Sequence, residues 1–241
     1  MRRIYISPHL DDAVLSVGGL IYEQSRAGHI VEIWTLMCGF PPVGELSLLA
    51  QVMHYQWGTS SAEETIRLRR AEDLQAAGTL GAHGLQFDFL DCIYRRGKNG
   101  DWLYSDVFLP PHGEEADYPA QIADAISPHL RQDDALVCPL GIGFHVDHLL
   151  VRKAVEALGR PLLYYADIPY LFKQPAQFAG LTAGMKDQVY PVSEAGLASW
   201  LEAVEAYRPQ LGSLFESPAK QRETIRSYWE ESGGICLWQV E

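Results

Sequence analysis

The feature that most constrains this chain is an alternation, sustained through its first two thirds, of short β-rich runs with longer helix-patterned stretches. Residues 3–7 (RIYIS) predict a strand, and 13–27 (AVLSVGGLIYEQSRA) a helix with apolar periodicity that Gly28 closes. Residues 29–37 (HIVEIWTLM) predict a second strand, 61–80 a helix, and 85–90 (LQFDFL) a third strand. A helix near 118–130, a strand at 135–140 (ALVCPL), a helix over 147–158 and a strand at 162–166 follow. Strands separated by helices pair in parallel through right-handed crossovers, with helices on both faces. The expected class is therefore α/β, Rossmann-like, with a mostly parallel sheet and the active site at the carboxyl ends of its strands.

The C-terminal third is less regular: a strand near 187–192, helices near 194–206 and 218–231, and a last strand at 234–240. No internal repeat, low-complexity tract or linker divides the chain, which reads as one domain over 1–241. Two connections, 38–60 and 91–117, exceed the usual length. Both follow predicted strands, so both should emerge at the carboxyl edge of the sheet, where ligands sit in open α/β folds.

Composition narrows the partners. A formal charge of −12 disfavours nucleic acid, whose phosphates need clustered Lys and Arg, and provides no polybasic patch for an anionic membrane. A hydrophobic content of 47% argues against disorder. Cys38, Cys92, Cys138 and Cys236 form no CxxC pair and read as free, mostly buried thiols. Met1-Arg2-Arg3 runs directly into Ile4-Tyr5-Ile6 without a cleavable apolar region, and no apolar run has membrane-span length, so the cytoplasm is the expected compartment. Association into a homo-oligomer is left open.

Two clusters carry the chemistry. Ser7-Pro8-His9-Leu10-Asp11-Asp12 joins the first strand to the first helix, and His145-Val146-Asp147-His148 follows the strand at 135–140 and the turn Gly141-Ile142-Gly143. Singly, Asp11 or Asp12 would read as a helix cap, and Asp147 is placed to cap the helix it opens. Together, three histidines and three carboxylates at one sheet edge point to a metal. Catalytic zinc takes about three His/Asp/Glu ligands and leaves one position open. His9, Asp12 and His148 supply that set, leaving Asp11 to deprotonate the attacking water and His145 to face the developing oxyanion.

The segment SPHLDDAVLSVGG, followed by HVDH, resembles the PIG-L/LmbE superfamily of zinc-dependent N-acetylglucosamine deacetylases, whose motifs are PHPDD(E) and HPDH. RRAEDLQAAGTLG, with Arg69 and Glu72, is similar to the family's RxxE helix. The resemblance covers a core of roughly residues 1–168 and leaves 169–241 as a variable extension. It implies His9, Asp12 and His148 as metal ligands for Zn2+ (or Fe2+ or Co2+), Asp11 as general base, and His145 as the histidine that stabilises the tetrahedral intermediate or protonates the leaving amine. It implies Asp147 as the carboxylate that orients His145, and Arg69 as a substrate contact, with a salt bridge to a nearby Glu as the alternative. Leu10 and Val146 stand where prolines are usual, Ala13 replaces a common Glu, and Gly143 and Phe144 stand where some members carry Tyr or Arg.

Other residues rank lower. Asp91 is a substrate-hydroxyl contact or a turn initiator, and Asp167 lines the pocket or supports His145. Tyr55, Trp57, Tyr94, Trp102 and Tyr104 either stack on a sugar or anchor the long loops. His29, His54, His83, His112 and His129 lack partners at ligand spacing. The expected activity is removal of an acetyl or other acyl group from an N-acetylglucosamine-type amino sugar or conjugate. The rivals are a deacylase of another amide, a catalytically silent sugar- or metal-binding member, and a nucleotide-binding oxidoreductase. The last is disfavoured because PHLDD stands where GxGxxG should be.

Overall fold

The computed structural model describes residues 1–240. Its elements run β1 (Arg2–Ser7), α1 (Asp12–Arg26), β2 (Ile30–Thr35), α2 (Leu48–Trp57), α3 (Ala62–Thr79) and β3 (His83–Gln86). Then come α4 (Tyr118–Ile126), β4 (Ala135–Pro139), α5 (Val146–Glu156), β5 (Leu162–Tyr165), α6 (Tyr170–Lys173) and α7 (Pro175–Leu181). The chain finishes with β6 (Met185–Pro191), α8 (Glu194–Val204), α9 (Arg208–Leu214), α10 (Pro218–Ser232) and β7 (Gly234–Val240).

The strands form one seven-stranded sheet in the order β3-β2-β1-β4-β5-β7-β6. The first five are mutually parallel, and β7 pairs antiparallel with both β5 and β6. The α/β expectation of a mostly parallel sheet therefore holds. Alternation along β1 feeds two cores: Tyr5 packs on the face covered by α1 and α8, while Ile4 and Ile6 pack against residues of α4 and α5 on the other. Among the described residues, no helix is long and apolar enough to cross a membrane.

Several boundaries differ from the sequence expectations. The 38–60 connection contains a ten-residue helix, α2, closed by Gly58 in a left-handed conformation. The 91–117 connection holds short 3-10 turns at Cys92–Tyr94 and Gly113–Glu115 and a single antiparallel bridge between Arg96 and Trp102. β3 ends at Gln86 rather than 90, because its partner β2 stops at Thr35. The helix expected to reach 130 ends at Ile126 and gives way to a 3-10 turn containing Pro128, whose ring disfavours a further α-turn.

The geometry that matters for function lies between β1 and β4. These strands are neighbours, but the chain leaves β1 towards β2 and β4 towards β5, on opposite sides. That divergence opens a crevice at their carboxyl ends. The loops after Ser7 and Pro139, which carry the two sequence clusters, both enter it.

Candidate active site

The β1–α1 turn is braced from within. Ser7 Oγ donates to the His9 carbonyl (2.6 Å) and accepts the Ala13 N–H (3.1 Å). Asp11 occupies the N-cap position of α1 without making a side-chain cap bond. Its carboxylate is thereby left for the crevice. Asp12 begins the helix, and its Oδ2 accepts the His9 N–H at 2.8 Å.

The second cluster is reached through a turn with three left-handed residues, Gly141 (φ +77°), Gly143 (φ +90°) and Phe144 (φ +56°). A Cβ at Gly143 would meet the Tyr170 ring at 2.8 Å, so both its backbone and its surroundings require glycine. His145, and not Asp147, caps α5: its Nδ1 accepts the Asp147 N–H at 3.2 Å. In a neutral ring this leaves Nε2 as the protonated nitrogen.

These turns bring His9, Asp12 and His148 together. Asp12 Oδ2 lies 3.2 Å from His9 Nδ1 and 3.3 Å from His148 Nε2. Donors about 2.0 Å from a tetrahedral ion stand about 3.3 Å apart, a spacing that these two separations match, and donor atoms of His9, His145 and His148 also come within 4.8 Å of one another. The far nitrogen of each histidine meets a carboxylate: His9 Nε2 is 3.0 Å from Asp147 Oδ2, and His148 Nδ1 is 2.7 Å from Asp167 Oδ1. Carboxylate partners of this kind fix the tautomer and orientation of metal-binding histidines.

The electrostatics are set by these close His–Asp pairs. Burial disfavours a charged His148, yet Asp12 and Asp167 raise it to about 9. Burial likewise opposes charge on Asp12, yet His148 and His9 hold its carboxyl well below the usual range. His145 behaves oppositely: burial and the neighbouring His9 and His148 push it well below an ordinary imidazole, so it stays neutral. Burial and the adjacent Asp12 raise Asp11 to about 6, against the pull of Arg69.

His9, Asp11, Asp12, Arg69, Asp91 and His145 line one cleft, which Met53 and Trp57 of α2 and Tyr170, Gln210 and Leu214 complete. Arg69 reaches Asp11 at 3.4 Å and lies 4.5 Å over the Trp57 ring, so its ion pair is with Asp11 and not with a neighbouring Glu. Asp91 initiates the turn, its Oδ1 accepting the Ile93 N–H (3.1 Å), and its Oδ2 lies 3.9 Å from His9 Nε2 at the cleft wall.

Two expected pairings are corrected. The Asp147 carboxylate bonds His9, the Cys92 N–H (2.9 Å) and Arg95 (2.5 Å), touching His145 through its backbone N–H instead. Asp167 supports His148, not His145, because the end of β5 lies beside the start of α5. Among the loop aromatics only Trp57 lines the cleft. Tyr94 bonds His54 (2.6 Å), Tyr104 bonds Glu115, Trp102 stacks on Arg96 (3.5 Å), and Tyr55 is exposed. Tyr170 ends the 164–170 stretch that the sequence places at the active edge, whereas Gln210 and Leu214 were not foreseen. No motif marks them, and only the fold brings the C-terminal segment to the crevice.

Known proteins resemble this chain over nearly its whole length. The 2'-N-acetylparomamine deacetylase of Niallia circulans is 30% identical over 272 residues, spanning 98% of this chain and 93% of that protein. The crystal structure of a deacetylase of the teicoplanin biosynthesis pathway matches with a TM-score of 0.84 at 29% identity, covering 99% of this chain and 97% of that one. A zinc-inhibited form of teicoplanin deacetylase matches at 0.82 and 26%, with the same coverage. The sequence pattern of the PIG-L family, described as GlcNAc-PI de-N-acetylase, matches residues 4–158, and the chain belongs to that family.

Proposed function

We propose that this protein is a metal-dependent N-deacetylase that removes an acetyl group from an N-acetylglucosamine-type amino sugar or conjugate. The observation that carries the reading is the division of one cleft. His9 and Asp12 meet His148 at the base of the cleft, with carboxylates behind both histidines, while Asp11 and His145 line the same cleft beside them. His145 also comes within ligand distance of His9 and His148, and we assign it to the substrate rather than to the ion. The similar proteins named for N-acetylparomamine and teicoplanin chemistry support an amino-sugar substrate.

His9, Asp12 and His148 would hold the ion, which we assign as Zn2+, with Fe2+ or Co2+ as alternatives for the same donor set. When bound, it supplies Lewis acidity that makes water a better acid and polarises the acyl oxygen. Asp11 takes a proton from the attacking water; its raised pKa of about 6 places it near the range a general base needs. Arg69 holds Asp11 in place from α3. The neutral His145 donates from Nε2 to the oxygen that becomes negative, and the proton gained by Asp11 goes to the departing nitrogen. The C–N bond breaks, giving a carboxylic acid and a free amine. Asp91, beside His9, contacts a sugar hydroxyl, and α2 with Trp57 walls the sugar side.

The test is metal analysis of the purified protein, followed by measurement of acetate release from N-acetylated aminoglycoside, glycopeptide and N-acetylglucosamine substrates. Metal uptake with acetate release from at least one of them is expected. Metal uptake without hydrolysis of any of them would favour a binding protein.

A further inference from the structure

We propose that Arg95 is a positioning residue for the metal centre, acting through Asp147 to fix His9 as a ligand. The proposal rests on the reading of His9, Asp12 and His148 as the ligand set. The two histidines are supported differently. Asp167, behind His148, is steadied locally by the Ile142 N–H at 3.0 Å. Asp147, behind His9, is fully buried and faces three donors: His9 Nε2, the Cys92 N–H and Arg95 Nη1. Of these, only Arg95 carries a permanent positive charge to match the carboxylate.

Arg95 is itself held by several partners. It is 5% exposed, and its Nη1 also donates to the Leu90 carbonyl at 3.0 Å. Its Nε lies 2.5 Å from Glu115 Oε1, and Nη2 lies 3.3 Å from Oε2. The Tyr104 and Tyr118 rings flank the guanidinium at 5.2 and 5.1 Å. With Nη1 and Nη2 hydrogen-bonded, Nε meeting Glu115 as an ion pair without a hydrogen bond, and two rings beside it, the guanidinium has little freedom to rotate. The result is a continuous buried line, Glu115–Arg95–Asp147–His9, that joins both ends of the 91–117 connection to a ligand.

Charge supplies the second reason. Asp11, Asp12, Asp91, Asp147 and Asp167 crowd the crevice, and the arginines that meet them stand on opposite sides: Arg69 against Asp11 and Arg95 against Asp147. Arg69 lines the cleft. Arg95 reaches the centre only through Asp147. Without it, Asp147 is a buried carboxylate lacking its counter-ion, and the His9 ring loses a fixed partner.

The experiment compares wild type, Arg95→Gln, Arg95→Lys and Glu115→Gln. Each metal-free protein is titrated with Zn2+ and Co2+ against a chromophoric chelator, and the visible spectrum of its Co2+ form is recorded. Arg95→Gln should weaken affinity about 10- to 100-fold, as loss of outer-sphere partners does elsewhere, and alter the Co2+ bands. Arg95→Lys should recover part of the loss, and Glu115→Gln should show a smaller loss in the same direction. A folded Arg95→Gln protein with wild-type affinity and spectrum overturns the proposal. If that variant does not fold, Glu115→Gln decides: weakened affinity supports the proposal and unchanged affinity overturns it. A wild-type protein that takes up neither ion overturns the metal-centre reading and this inference together. Metal uptake by wild type with an indifferent Arg95→Gln overturns this inference alone.

Discussion

Asp11 and Asp12 are chain neighbours with the same side chain, but the start of α1 separates their roles. Asp12 is turned towards two imidazoles and is held ionised; Asp11 faces Arg69 at the cleft wall and is raised to about 6. Replacing Asp11 with Asn keeps the shape and removes the base. Activity should fall about 10²- to 10⁴-fold, the usual worth of general-base catalysis, while Zn2+ uptake measured by elemental analysis stays at the wild-type level. Equal activity would assign the proton transfer elsewhere. These residues were legible in the sequence because the ligands and the base lie within short runs at strand-to-helix turns. The partners of Asp147 and Asp167 were not. Choosing His9 over His145 for Asp147, or His148 over His145 for Asp167, depends on rotamers and on strand ends that spacing alone does not specify.

At the scale of elements, α1 shows how a neighbour shapes a helix. Val17 departs from helical geometry (φ −137°, ψ 18°), and the buried Trp200 indole of α8 donates to the Val14 carbonyl at 2.7 Å. Gly18 makes room for that ring, since a Cβ there would stand 2.4 Å from Trp200 Cδ1. Gly18→Ala should cost about 1–3 kcal/mol by overpacking, read as a lower urea midpoint. A second element-level link joins the starts of β1 and β4: Arg2 Nε donates to Asp134 at 2.9 Å, and Nη2 donates to it at 2.5 Å. Burial opposes ionisation of Asp134, but Arg2 and the Arg131 N–H hold its pKa below 3.8. A carboxyl lowered in the folded state contributes its full stability above its unfolded value and loses it as pH falls through the folded one. Asp134→Asn should therefore lower stability near neutral pH, and the gap from wild type should narrow below about pH 3.8 in acid-titrated urea melts. The helix α2 escaped sequence reading for a related reason. Leu48, Val52 and Tyr55 point outward while Ala50, His54 and Trp57 are buried, so apolar residues surround it and leave no single stripe to read.

At the scale of the whole molecule, the segment after residue 168 is built into the sheet and the cleft. It supplies β6 and β7, the buried Trp200, Leu201 and Tyr207 of one core, and Tyr170, Gln210 and Leu214 of the cleft wall. A chain ending at 168 keeps all the motif residues, yet it should show neither a cooperative thermal transition by circular dichroism nor wild-type Zn2+ affinity. A cooperative, metal-binding 1–168 fragment would show instead that the motif-bearing part folds alone. The sequence patterns for the parallel half were strong because each strand is followed by its own covering helix. The C-terminal pairing was harder to read, because the spatial order of β6 and β7 reverses their order in the chain.

That reversal has a consequence for biosynthesis. β7, the latest strand in chain order, lies inside the sheet between β5 and β6. While the polypeptide is still emerging from the ribosome, β5 presents an unsatisfied backbone edge, and β6 has no partner to dock against. Unpaired edges of this kind invite pairing with other nascent chains. The interval between the release of β6 and that of β7 therefore leaves these edges open to misassembly.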